Sequence, residues 1–135
     1  MAETLPTTTT TQSGLAPNVA GAVAYALGPL TGIFFLATEK ENQYVRFHAA
    51  QSTVLWLGLF VASIAFSIAL TIIGFVPVLG AIVAVLAAIA WMFAGFALFV
   101  LWIVLMVKAY GGSEWELPLV AKHARRIASP APPAA

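Results

Sequence analysis

Long apolar runs alternate with short polar segments along this chain, and each run is long enough to be read as one helix. Residues 18–37 carry no charged side chain and would span about 30 Å as a helix, the thickness of a bilayer's hydrocarbon core. A second charge-free run covers 53–73, and a third runs over 77–107 until Lys108 interrupts it. At 1.5 Å per residue the third reaches roughly 45 Å, so it must tilt or protrude. Between the last two, Gly74 and Pro77 bracket a tight turn, with Pro77 suited to a first helical position because its missing donor costs nothing there. The pattern predicts an all-α integral membrane protein, a helical bundle with three transmembrane helices.

The polar segments give the spans their ends. Residues 38–52 read TEKENQYVRFHAAQS and gather Glu39, Lys40, Glu41, Arg46 and His48. These charges belong at a membrane surface, and Asn42 can cap the helix that follows. After Tyr110, Gly111 and Gly112 close the third helix. Ser113 and Glu116 have the spacing of a capping box, so a short interfacial amphipathic helix is expected over 113–128. Its apolar face holds Val120, Ala124, Ile127 and Ala128, and its polar face Lys122, His123, Arg125 and Arg126. The Thr-rich tail, 1–17, and the Pro/Ala-rich tail, 129–135, have too little apolar surface to offset the entropy of ordering.

Charge orients the spans. With three crossings, Lys40, Arg46, Lys108, Lys122, Arg125 and Arg126 share one side, and these are all 6 basic residues. The positive-inside rule then places the C-terminus in the cytoplasm and the N-terminus outside. Four spans would split the same charges. No Lys or Arg precedes the first run, so it is not expected to be a cleaved secretory leader.

Composition narrows the chemistry. Hydrophobic residues make up 61% of the 135, charged residues only 8%, and there is no cysteine, which excludes disulfides and thiolate metal sites. A net charge of +1 with no basic block gives nucleic acid no footprint. There is no Asp, all five Glu lie outside the spans, and the two His, His48 and His123, make a poor metal pair. The sequence therefore predicts no enzyme, no cofactor and no metal site. Its expected partners are the lipid bilayer and, through Gly- and Ala-rich helix faces, further copies of itself or a larger membrane complex. Tyr44, His48 and Gln51 share a helical face at the start of the second span, with Arg46 pointing the other way. These four are the candidate contacts for a partner or substrate, against the plainer reading of interfacial anchoring. Ser63, Ser67 and Thr71 form a hydroxyl stripe deeper in that span, a polar path or hydroxyls bonded to their own helix.

The segments NVAGAVAYALGPLTGIFFLATEKENQYVRFHAAQS and AYGGSEWELPLVAKHARRI resemble a family of small, largely uncharacterised bacterial and archaeal membrane proteins related to the Tic-twenty component of the chloroplast protein-import apparatus. The resemblance covers residues 15–128. It is most specific at Asn18, Tyr25, Gly28, Thr31 and Gly32, at Val45 to Ala49 with Gln51 and Ser52, and at Gly112, Glu116, Pro118 and Leu119. It implies a helical membrane protein and a distant link to protein translocation, without assigning a role to any residue. The leading expectation is a small membrane scaffold or accessory subunit. The alternatives are a pore or translocation component for polypeptide or small solute, and a membrane enzyme.

Overall fold

The computed structural model describes residues 11–129. Most of the Thr-rich tail and all but the first residue of the Pro/Ala-rich tail lie outside the described residues. The helices are α1 (Pro17–Val23), α2 (Pro29–Thr38), α3 (Gln43–Gly74), α4 (Pro77–Tyr110) and α5 (Ala121–Ala128), with no strand among the described residues.

Two helices are long and apolar enough to cross a membrane, α3 with 32 residues and α4 with 34. The expectation of a third over 18–37 is corrected: that stretch is broken into α1 and α2 by a turn at 24–28. Composition and length gave it the look of a span, but Gly28 adopts φ 62°, a left-handed conformation open to glycine and incompatible with a continuing helix. Pro29 then restarts the helix at its first position. The chain reverses direction here, with Gly21 against Tyr44 and His48, Gly28 against Trp56, and Gly32 back against Thr53 and Ala49. The flanks of this reversal also stay together, since Gln12 N–H donates to the Glu39 carboxylate at 2.9 Å, and its start is tied to the end of α4 by Asn18 Nδ2 donating to the Tyr110 carbonyl at 3.1 Å. A crossing helix would hold residues 18 and 37 about 30 Å apart.

Local signals explain the other boundaries. Asn42 Oδ1 accepts the Val45 N–H at 3.2 Å, capping α3. At the far end of α4, Gly112 takes φ 79°, and bonds from Ser113 N–H to the Lys108 carbonyl and from Gly112 N–H to that of Ala109 complete a Schellman closure. The expected C-terminal helix begins at Ala121 rather than 113. Pro118 lacks a donor, and Glu116 bonds Arg125 instead of closing a capping box on Ser113.

The described chain forms two compact units. The first, residues 11–57 and 104–129, contains α1, α2, the start of α3, the end of α4 and α5. Its core joins Ala20, Ala24, Phe35, Tyr44, Val45 and Ala49 in one cluster, and Phe47, Ala50, Ala124 and Ala128 in another. Of residues 11–16, Thr11 is buried and bonded to Ser13 and the Leu15 carbonyl, while 12–16 are exposed. The second unit, Gly58–Ile103, holds the rest of α3 and α4 around a turn where any Cβ on Gly80 would sit 2.8 Å from the Gly74 Cα. Phe66 meets Trp91 edge-on at 5.6 Å, while Phe60, Phe75, Phe93 and Phe96 are more than 60% exposed. Apolar exposure on that scale calls for lipid.

Candidate functional site

The first turns of α3 carry the segment VRFHAAQS, and it is the most enclosed part of the molecule. From Tyr44 to Thr53 every side chain except that of Arg46 is buried. Small residues make this possible. A Cβ on Gly21 would lie 2.9 Å from the Tyr44 ring, and one on Gly32 would lie 2.5 Å from Thr53 Oγ1 and 2.8 Å from the Ala49 carbonyl oxygen. α1 therefore lies against the Tyr44 and His48 rings of α3, and α2 against the α3 backbone itself, both at near-contact distance.

Inside this packing runs a continuous polar chain. Gln51 Nε2 donates to the Tyr25 hydroxyl and to the Trp115 carbonyl, both at 3.0 Å, while its Oε1 accepts the Leu117 N–H at 3.2 Å. The two backbone partners differ in kind, one acceptor and one donor, so they fix the orientation of the amide. Besides accepting from Gln51, the Tyr25 hydroxyl shares a hydrogen bond of 3.0 Å with His48 Nδ1. His48 Nε2 is buried with no partner in hydrogen-bonding geometry. Tyr25, Tyr44 and Phe47 surround the His48 ring with centroids at 5.7, 4.6 and 5.2 Å.

The other candidates are also turned toward the chain itself. The Tyr44 hydroxyl donates to the Ala109 carbonyl, tying α3 to the end of α4. Arg46 points the opposite way, as expected from its helical position. It donates to the Leu36 and Glu39 carbonyls at 3.3 and 2.7 Å and to the Ile127 and Ala128 carbonyls at 3.4 and 3.0 Å. Those oxygens end α2 and α5, so one guanidinium satisfies the carbonyls and offsets the negative dipole ends of two helices. Tyr44, His48 and Gln51 are brought together, and Arg46 serves a separate contact.

α5 closes the unit. Ala121, Ala124 and Ala128 are buried, and the Arg125 guanidinium lies 4.0 Å above the Phe47 ring while bonding Glu114 and Glu116 at 2.7 and 2.6 Å. Burial alone would lower the Arg125 pKa; the two carboxylates outweigh it, and the net shift is upward. Lys122, His123 and Arg126 stay exposed. His123 thus sits on the surface while His48 is enclosed, and no group of three potential metal-binding side chains occurs among the described residues.

In the second unit, Ser63, Ser67 and Thr71 line an open groove with Ile64, Ile68 and Ile72. Each hydroxyl donates to a carbonyl of its own helix, Phe60, Ser63 and Ser67 respectively, at 2.7 to 2.9 Å.

Sequence reasoning gave Tyr25, Thr31 and Ser52 no role, and Glu39 none beyond surface charge. Tyr25 centres the polar chain, and Ser52 Oγ donates to the Gly28 carbonyl at 3.0 Å. A signal was present: Asn18, Tyr25, Gly28, Thr31 and Gly32 carry the family resemblance in the first segment, and they are where the segment is turned or attached.

The sequence profile of the magnetosome magnetite crystal formation protein family matches residues 10–124. A UPF0132 membrane protein of Archaeoglobus fulgidus is 40% identical over 109 residues, covering 81% of this chain and 92% of that protein. A UPF0132 membrane protein of Methanocaldococcus jannaschii is 40% identical over 119 residues, covering 86% of this chain and 92% of its own, and a second from that organism is 34% identical over 113. No solved structure matches the chain.

Proposed function

The chain belongs to the magnetosome magnetite crystal formation protein family and its relatives are named membrane proteins, and on this basis we propose that it is a small, non-enzymatic membrane scaffold or accessory subunit. It associates with its own copies or with a larger membrane complex through small-residue faces of α3 and α4. The observation that carries this reading is the division of labour along α3. Tyr44, Arg46 and Gln51 spend their polar groups on backbone or side chains of the same chain, whereas the segment beyond Leu57 presents outward-facing apolar surface. On that surface a Cβ on Gly58 or Gly95 would meet nothing within 4 Å, so each offers a place for close helix approach. The six basic residues favour a cytoplasmic location for the charged unit.

Crosslinking in native membranes from cysteines placed at Gly58 and Gly95 tests this. A discrete oligomer or complex is expected, with Gly95→Leu reducing its yield. A chain that runs strictly as a monomer in mild detergent and yields no crosslinked product sinks the proposal.

A second reading, a pore or translocation component, is favoured by the Ser63, Ser67 and Thr71 groove and by the Tic-twenty resemblance. The hydroxyl oxygens keep acceptor capacity after bonding their own helix, so several copies could line a polar path. Solute flux in proteoliposomes containing the purified protein is its signature, and sealed vesicles count against it.

A further inference from the structure

The feature that neither the family nor a scaffold role accounts for is the hairpin made by α1, the 24–28 turn and α2. We propose that this hairpin is a re-entrant wedge that enters and leaves the membrane on the charged side and displaces the acyl chains of a single leaflet.

Three observations converge. The first is depth. α2 has 10 residues, about 15 Å of helix and half the hydrocarbon core. Gly28 at its tip packs on Trp56, roughly 18 Å along α3 from Tyr44. The second is the outer face. Leu27, Leu30, Ile33 and Phe34 are 67, 71, 49 and 54% exposed, an apolar stripe that stops at the exposed Lys40 and Glu41. The third is the turn. Irregular backbone is tolerated at membrane depth only where its polar groups are satisfied without water. Here the amides of Ala24, Tyr25, Ala26 and Gly28 donate to the carbonyls of Ala20, Ala22, Val23 and Tyr25, and that of Leu27 to Thr31 Oγ1. The Ala24 carbonyl receives the Thr31 hydroxyl, and the Gly28 carbonyl receives Ser52. A turn made for water needs no such side-chain supply.

Both ends of the hairpin are fixed at one level by Gln12 to Glu39 and Asn18 to Tyr110, so the N-terminal segment shares the side of the C-terminal helix. Volume added to one leaflet and not to the other favours a membrane convex toward the charged side, so the protein prefers strongly curved membranes.

The chain has no cysteine, so single replacements are clean probes. In sealed vesicles of known orientation, a membrane-impermeant maleimide should label Gln12→Cys and Leu119→Cys from one face and Phe75→Cys from the other. Leu27→Cys should label from neither face until detergent is added. Labelling of Gln12→Cys opposite to Leu119→Cys would mean that 18–37 crosses; labelling of Leu27→Cys without detergent would mean that the hairpin stays in water. Either overturns the wedge.

Curvature is tested separately, with the full chain reconstituted into a mixed population of small sonicated and large extruded vesicles. The native chain should be enriched in the small ones. Leu30→Gln combined with Phe34→Gln, both on the exposed face, should lose that enrichment. Equal distribution of the native chain, or undiminished enrichment of the double variant, overturns the inference. Neither assay depends on self-association, so failure of the scaffold reading would leave both results interpretable.

Discussion

The two stretches of α3 on either side of Leu57 have the same helical backbone and opposite strategies. Before it, nine residues are buried, among them His48, Gln51 and Ser52; after it, none is. The early stretch behaves like the core of a water-soluble protein, excluding solvent and pairing most of its polar groups, with His48 Nε2 and Trp56 Nε1 the exceptions. The later stretch leaves its packing to whatever surrounds it, and its hydroxyls turn back on their own helix. Helix formation alone therefore does not determine whether a segment is buried. What decides is whether glycines elsewhere in the chain let a second element come close, as Gly21 and Gly32 do here.

The largest effect is expected at Gln51. Gln51→Leu keeps the bulk but leaves the Trp115 carbonyl, the Leu117 amide and the Tyr25 hydroxyl short of a partner, a loss of about 3 kcal/mol. Denaturant unfolding in mild detergent measures it, and a change smaller than that of a surface substitution would refute the contrast between the two stretches. Gly32→Ala comes next, at about 2 kcal/mol for overpacking against Thr53 and Ala49. Faster proteolysis within 24–28 should accompany it, because the hairpin lifts away from α3; an unchanged cleavage rate would argue that the contact is dispensable.

Arg125→Gln should cost about 1 kcal/mol, since its ion pairs are exposed and its ring contact is modest. The loss should shrink as salt is raised, and a salt-independent loss would mean that packing on Phe47 dominates. Ser67→Ala, in the later stretch, should stay within about 0.5 kcal/mol. A larger cost in a monomeric sample would show that the groove is part of the fold rather than an outward face.

Much of this was readable from the sequence. The limits of α3 and α4 follow from charge-free length, Asn42, Pro77 and the paired glycines, because those signals act locally. The first segment was misleading for a physical reason: 20 apolar residues satisfy the bilayer's length requirement whether they cross it or turn back within it. The distinguishing clue is Thr31 placed to serve the carbonyls and amide of a turn three to seven residues earlier. The candidate site was legible as a location, the start of α3, but its direction was not. A helical wheel groups Tyr44, His48 and Gln51 without saying whether that face meets a foreign molecule or residues 65 positions further on. Long-range partners such as Trp115 and Leu117 contribute only backbone atoms, which no side-chain pattern reveals.

The tie between Gln51 and Trp115 also sets a clock for biosynthesis. The two are separated by 64 residues, so at ribosomal rates the amide waits about 3 to 13 s for its carbonyl. During that interval α3 and α4 emerge, while Tyr25, His48 and Gln51 lack the segment that closes over them. The half-made protein is thus most exposed to quality control at a defined chain length, and release from it coincides with the arrival of the segment holding Trp115 and Leu117.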